Sequence, residues 1–426
     1  MYRSNNKYFA EIRQFLDTIP VIETHEHYTW HYGADDAIDF LLGNYYWSDY
    51  ISAGGEDLPK DIPAKERFER FLAVYEKSKH TAYAKGMLEG LRLCWGIENI
   101  DTYENFQLLE EILKTRNSSI YETMMEKLHI KAKIVDSWSL MDFVDGKNKD
   151  YSKYCRFAFQ LPDFHNIHSK SDLLRYQKYL NRTITCMDDY LESFDNYLLK
   201  CIEFGVVCFK DQTAYRRSIA YQNPAREEAE KIFNAIMINP REIAGDDRAV
   251  VLDDWLFHYA MRKAARHGLP VQIHTGHMAG IRNDIVKTNA AHLIPVIELY
   301  ENVKFDLFHG NWPYMDEYLF MGKNYPNVYL NLCWVNSIDP IYCTELLKRA
   351  VMTVPANKIF AFGGDTGMIE WAAGYLSQAK DNAACALSEL AENEWLSVYE
   401  AKKTAAGWFF NNPNEFFKLG FEPFYL

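Results

Sequence analysis

Residues 18–30 read TIPVIETHEHYTW, a short apolar run that ends in two histidines one residue apart. The run reads as a strand, and side chains along a strand alternate faces with a period of two. His25 and His27 therefore point the same way, about 6.6 Å apart along the strand at ~3.3 Å per residue. Two imidazoles at that spacing can close on one cation. Thr24 and Glu26 are then expected on the opposite face, bracing the strand. A His-x-His pair is a short motif, so its weight rests on what the rest of the chain sets around it.

Working outward, residues 31–128 carry one helical pattern after another: DDAIDFLLGNYYWSDYI, AKERFERFLAVYEKS, AYAKGMLEGLRLCWGI, NFQLLEEILKT and SIYETMMEKL, with the loop-like SAGGEDLP between the first two. This is a helical insertion after the first strand, placed to act as a lid. Beyond it, short β-branched or aromatic runs alternate with helix-length amphipathic segments. The strand candidates are KAKIVDSW (131–138), YCRFAFQL (154–161), GVVCFKDQ (205–212), PVQIHTG (270–276), VKFDLFHG (303–310), NVYLNLCWV (327–335) and KIFAFGGD (358–365). With PVIETHEH they number eight. Strand and helix alternating eight times is the sequence form of an α/β fold of the (β/α)8 TIM-barrel type. A doubly wound open sheet is the alternative, but no Gly-rich phosphate loop follows the first strand. No repeat, low-complexity tract or linker divides the chain, so 1–426 reads as a single barrel domain that contains the 31–128 insertion.

Barrel active sites sit at the C-terminal ends of the strands. The polar residues there are His25 and His27 on strand 1, Lys210 on strand 4, His274 on strand 5, His309 on strand 6 and Asp365 on strand 8.

Composition narrows the partners. Hydrophobic residues at 48% and charged residues at 25% are ordinary for a globular chain, while 15% aromatic content is high. A formal charge of −13 argues against nucleic-acid binding, which depends on clustered Lys and Arg. An acidic small-molecule substrate needs a local basic pocket instead. No run of ~18 apolar residues suits a membrane span and no signal-peptide core is evident, so a cytoplasmic location is expected. The eight cysteines lack any Cys-x-x-Cys pair and read as reduced core residues.

The order of these strand-end residues resembles the amidohydrolase superfamily, a barrel with His-x-His on strand 1, His on strands 5 and 6 and Asp on strand 8. The phrases PVIETHEHY, FKDQTAYRR, QIHTGH, FHGNWP, NLCWVNSIDP and VPANKIFAFGGD carry the likeness. It is nearest to the amidohydrolase-related branch of metal-dependent hydrolases and decarboxylases, and is similar at a greater distance to uronate isomerases. The resemblance implies one divalent metal ion, taken as Zn2+, on His25, His27, His274 and Asp365. Three neutral imidazoles and one carboxylate suit that ion and leave a position open for water or a substrate oxygen. Asp365 is then the general base, with His309 either orienting the water or serving a second metal.

Lys210 has two readings. Carbamylated, it would bridge two cations; unmodified, the reading favoured here, its ammonium would bind a substrate anion. In the loop that follows, Tyr215 and an arginine fork at Arg216 or Arg217 suit a substrate carboxylate. Trp312 and Trp334, in the loops after strands 6 and 7, either line the pocket as an aromatic wall or pack those loops, and His277 either enters the pocket or caps its loop. Glu23 stands where many relatives carry Asp. The function expected is a metal-dependent hydrolase that directs an activated water at a lactone, ester or amide of a small carboxylated substrate. A nonhydrolytic lyase or a uronate isomerase on the same site is the alternative, and a catalytically dead scaffold would require a missing ligand. A homo-oligomer is expected from the family likeness and the aromatic content.

Overall fold

Eight parallel strands lie side by side in chain order: β1 (Val21–His27), β2 (Ile130–Asp136), β3 (Cys155–Gln160), β4 (Cys208–Asp211), β5 (Val271–Ile273), β6 (Phe305–Leu307), β7 (Val328–Asn331) and β8 (Ile359–Phe360). This is a computed structural model that describes residues 2–27, 36–239 and 249–426. Residues 28–30 of the opening stretch and 31–35 of the helical segment lie outside the described residues.

Just past β8 the sheet curls back onto β1. Thr24 N donates to Phe362 O and Asp365 N donates to His25 O, both at 3.1 Å. An open doubly wound sheet would keep two free edges and a shuffled strand order; sequential order with meeting edges is the (β/α)8 barrel. Every strand overlaps the run that foretold it, although β5, β6 and β8 shrink to two or three ladder residues before the chain turns into the site.

The helices between β1 and β2 run Ala37–Leu42, Tyr46–Ser52, Ala64–Ser78, Ala82–Trp95, Tyr103–Thr115 and Ser119–Lys127. Ala82–Trp95 is framed by the Thr81 side chain, which caps Ala84 N, and by left-handed Gly96 at φ 72°. It packs on Ile369–Glu392, the helix that leaves the barrel after Asp365. Their backbones meet at glycines: a Cβ on Gly374 would lie 1.9 Å from Gly86 O, and one on Gly90 would lie 2.1 Å from Glu370 O. Only residues without a side chain permit that approach. Beside the crossing, Arg116 Nε and Nη2 donate to the two oxygens of fully buried Glu370, each at 2.7 Å. The insertion is thereby fixed to the barrel by both packing and a two-pronged ion pair.

Inside the barrel, one step below the strand ends, runs a polar layer. Thr24 Oγ1 donates to Asn331 Oδ1 (2.9 Å), Asn331 Nδ2 to Asp306 Oδ2 (3.0 Å) and Gln272 Nε2 to Asp306 Oδ2 (2.9 Å). This departs from the strict alternation expected of β1. Thr24 turns inward, whereas Glu26 joins Glu23 on the outer wall near Lys133, with oxygen to Nζ distances of 3.9 and 3.8 Å. The β1–β2 register shifts between Glu23 and Glu26, and such an irregularity breaks the period of two. Phe410, Ile22 and Ala132 cluster on the barrel, and Phe360 packs with Phe416 and Phe417. All eight cysteines are free thiols. Among the described residues no helix is long and apolar enough to cross a membrane.

Candidate active site

His25 and His27 face the same way despite the irregularity below them, and both meet the carboxylate that follows β8. Asp365 Oδ1 lies 3.1 Å from Nε2 of each. Its other oxygen lies 3.7 Å from His309 Nε2. His309 in turn contacts His274, Nε2 to Nδ1 at 3.1 Å. Four histidines and one carboxylate from strands 1, 5, 6 and 8 thus form one continuous cluster.

The tautomers of the last pair follow from their outer bonds. His309 Nδ1 lies 3.0 Å from Cys333 O, and His274 Nε2 lies 2.8 Å from His277 O. A carbonyl accepts only, so those nitrogens carry the protons. The facing nitrogens of neutral rings therefore both present lone pairs across 3.1 Å, an arrangement that requires a shared proton or a cation beside them. Burial holds the rings neutral: it pushes His25 and His309 down to about 4, and lowers His274 well below the ordinary value. His27 differs, because the hydrogen bond and charge of Asp365 outweigh burial and raise it. Asp365 is held well below the usual carboxylate range by His25 and His27, against the upward push of burial. Neutral imidazoles around an ionised carboxylate fit a divalent ion, as does the buried Nδ1 of His25, which has no hydrogen-bond partner among the described residues.

The backbone is strained where it presents this cluster. His309, Trp334 and Asp365, at the ends of strands 6, 7 and 8, have φ of 62°, 64° and 53°. Positive φ in non-glycine residues costs on the order of 1–3 kcal/mol each and concentrates where side chains are held for function.

Lys210 is buried, with Nζ 3.9 Å from the centroid of the Phe308 ring, and makes no ion pair among the described residues. Burial lowers its pKa, although Asp365 and Asp136 pull the other way. Two cavities of about 420 and 530 Å³ open beside His27. Tyr45 and Ala279 border both; Asp365 faces the first, and Tyr215 and Arg216 face the second. Among the described residues, Arg216 Nη2 hydrogen-bonds the imidazole of His168 at 3.0 Å. Arg217 turns away, with Nη2 2.5 Å from Asp254 Oδ1. The Tyr215 ring stands 4.7 Å from His274. Trp312 meets His277 edge-on at 5.3 Å and lines neither cavity, while Trp334 lies 5.1 Å from His309.

Three neighbours were not singled out from the sequence. Asp136 ends β2 and brings an oxygen within 4.8 Å of the His25 and His27 nitrogens; it fits the same strand-end rule that found the others. Cys333 stands in the same relation to His309 and Asp365, but its apolar setting reads as core. Tyr45 comes from the insertion, stacks on Trp334 at 4.1 Å and donates its hydroxyl to the Asp365 carbonyl. No local pattern marks that long-range contact.

Residues 204–388 match the family model described as amidohydrolase. A stretch of 233 residues is 25% identical to Protein fluG of Emericella nidulans, covering 51% of this chain and 26% of that one, so the chain spans about a quarter of the length of the curated relative it matches. Among solved structures, glucuronate isomerase of Caulobacter crescentus superposes with a TM-score of 0.78 at 15% identity, covering 99% of this chain and 96% of that one. Uronate isomerase of Thermotoga maritima gives 0.79 at 13%, covering 97% and 98%. A candidate metal-dependent hydrolase of Lactobacillus casei gives 0.67 at 14%, covering 96% and 97%. At these identities the structural likeness speaks to the fold.

Proposed function

We propose, for a chain whose residues 204–388 match the amidohydrolase family model, that the barrel mouth hydrolyses a lactone, ester or amide of a small substrate bearing a carboxylate. The observation that carries this reading is the position of Asp365, with one oxygen 3.1 Å from His25 and His27 and the other turned to His309 beside an open cavity. We assign His25, His27, His274 and Asp365 as ligands of one Zn2+. Such an ion, when bound, polarises a carbonyl and brings the pKa of water towards ~7.

The chain's own groups do the rest. Asp365, kept ionised, accepts a proton at the oxygen that is not shared with the histidine pair. His309, its Nδ1–H fixed on Cys333 O, aims a lone pair at the same space and orients the attacking water. Arg216 offers its fork to the substrate carboxylate from the far wall of the second cavity, and Lys210 adds a buried cation nearer the cluster. Tyr215 walls that path. Arg217, tied to Asp254, and Trp312, against His277, shape the pocket from behind.

Isomerisation of a uronate is the second reading, favoured by four polar side chains, Gln160, Asp163, Asn166 and Gln212, that face the second cavity alongside His27 and Arg216. Those amide and carboxylate groups suit substrate hydroxyls, and a glucuronate isomerase and a uronate isomerase are among the similar folds by name. Incubating the zinc-loaded protein with carboxylated lactones, esters and amides, and separately with uronates, divides the readings. Acid release that falls about 100-fold or more in Asp365→Asn is the expected result. Ketose formation without acid release would replace hydrolysis by isomerisation, and turnover of neither class would overturn both.

A further inference from the structure

A third cavity, of about 520 Å³, lies away from the strand ends, where the N-terminal helix Phe9–Thr18, the insertion helix Ala82–Trp95 and the long helix Ile369–Glu392 meet. Its lining carries Arg3, Arg13, Arg92, Lys127 and Lys380 against two carboxylates, Asp17 and Glu89. Such a surplus of positive charge is anomalous in a chain of formal charge −13.

The cations are only partly matched. Asp381, behind the wall, takes Arg3 Nε at 2.9 Å and Arg13 Nε at 2.5 Å. Glu89 takes Arg92 through two bonds of 2.8 Å. Lys127 Nζ has a backbone carbonyl, Leu93 O, at 2.7 Å. Lys380 is 4% exposed, and its acid, Asp17, stands 3.5 Å away while lying 2.5 Å from Arg13. Arg13 Nη1 takes Asp17 Oδ1 at 2.5 Å, so Lys380 shares that one acid with a closer competitor. A buried ammonium whose acid stands 3.5 Å away and is shared with Arg13 is costly unless a further anion completes it.

We infer that this cavity is a binding site for a phosphorylated small molecule. A phosphate carries up to two charges and three acceptor oxygens in a compact group, which matches cations gathered from four helices and the N-terminal segment better than one carboxylate would. The volume lies within the range of small-ligand pockets. Occupancy would tie the N-terminal helix and the insertion to the helix that begins just after Asp365.

Inorganic phosphate is the probe, titrated calorimetrically into the zinc-loaded protein at fixed ionic strength. One site per chain is expected, weakened at least ten-fold in Arg92→Ala/Lys127→Ala, whose side chains are solvent-accessible and whose loss leaves the fold intact. Lys380→Met is the sharper variant, read only if its circular dichroism matches wild type. Binding should persist in Arg216→Ala, which separates this cavity from the barrel mouth. No binding by wild type, binding unchanged in Arg92→Ala/Lys127→Ala, or binding lost in Arg216→Ala would overturn the inference.

Discussion

His274 Nδ1 and His309 Nε2 face each other across 3.1 Å, each ring anchored on its far side to a backbone carbonyl. Two lone pairs at that distance repel, and burial disfavours the extra proton that would relieve them. A cation held by the cluster would resolve the conflict. The neighbouring Asp365, negative and shared between His25 and His27, supplies the complementary charge.

The two arginines after β4 are expected to separate by function. Arg216→Ala should raise KM for a carboxylated substrate roughly ten- to hundred-fold, with little change in kcat, because a charge-assisted contact to the bound carboxylate is lost. Arg217→Ala should instead lower stability by about 1–3 kcal/mol, since Asp254, 1% exposed, loses its cation. Steady-state kinetics and urea melts on both variants check this; a KM effect from Arg217→Ala with none from Arg216→Ala would reverse the assignment.

The glycine crossing is expected to be intolerant. Gly374→Ala drives a methyl to within 1.9 Å of Gly86 O, so the helices must part. A loss of about 1–3 kcal/mol in denaturant melts is the expected outcome, with Gly90→Ala behaving alike. An unchanged midpoint in both would mean that the insertion is not held there.

Much of this was legible in the sequence, for a physical reason. Strand and helix leave periodic traces in the apolar pattern, and barrel topology puts strand ends in one place, so His25, His27, His274, His309 and Asp365 could be gathered without coordinates. The register shift that turns Thr24 inward depends on how β1 meets β2, which no period records. Which arginine is free depends on Asp254, thirty-odd residues downstream on another helix. Tyr45 reaches Asp365 only because the insertion packs on the Ile369–Glu392 helix, a contact between segments far apart in the chain.

Asp306, within the polar layer under the site, gives a pH signature. Burial pushes its carboxyl up to about 7, from an ordinary value of 3.8. The folded state therefore holds the proton more tightly than the unfolded one. Its contribution to stability is full below pH ~4 and is lost as pH rises towards 7. Asp306→Asn removes that dependence, so the variant should gain on wild type by on the order of 1–3 kcal/mol between pH 5 and 8. Denaturant melts at both pH values test it; a difference that is flat, or that moves the other way, would contradict the buried neutral carboxyl.

Metal content per chain, measured by elemental analysis on protein purified without chelators, bears most directly on the central claim. Wild type should hold about one divalent ion, and His25→Ala, His274→Ala and Asp365→Ala should each fall well below that while remaining folded by circular dichroism. Folded wild type without metal, or full metal content in all three variants, would contradict the metal centre and the hydrolytic chemistry built on it.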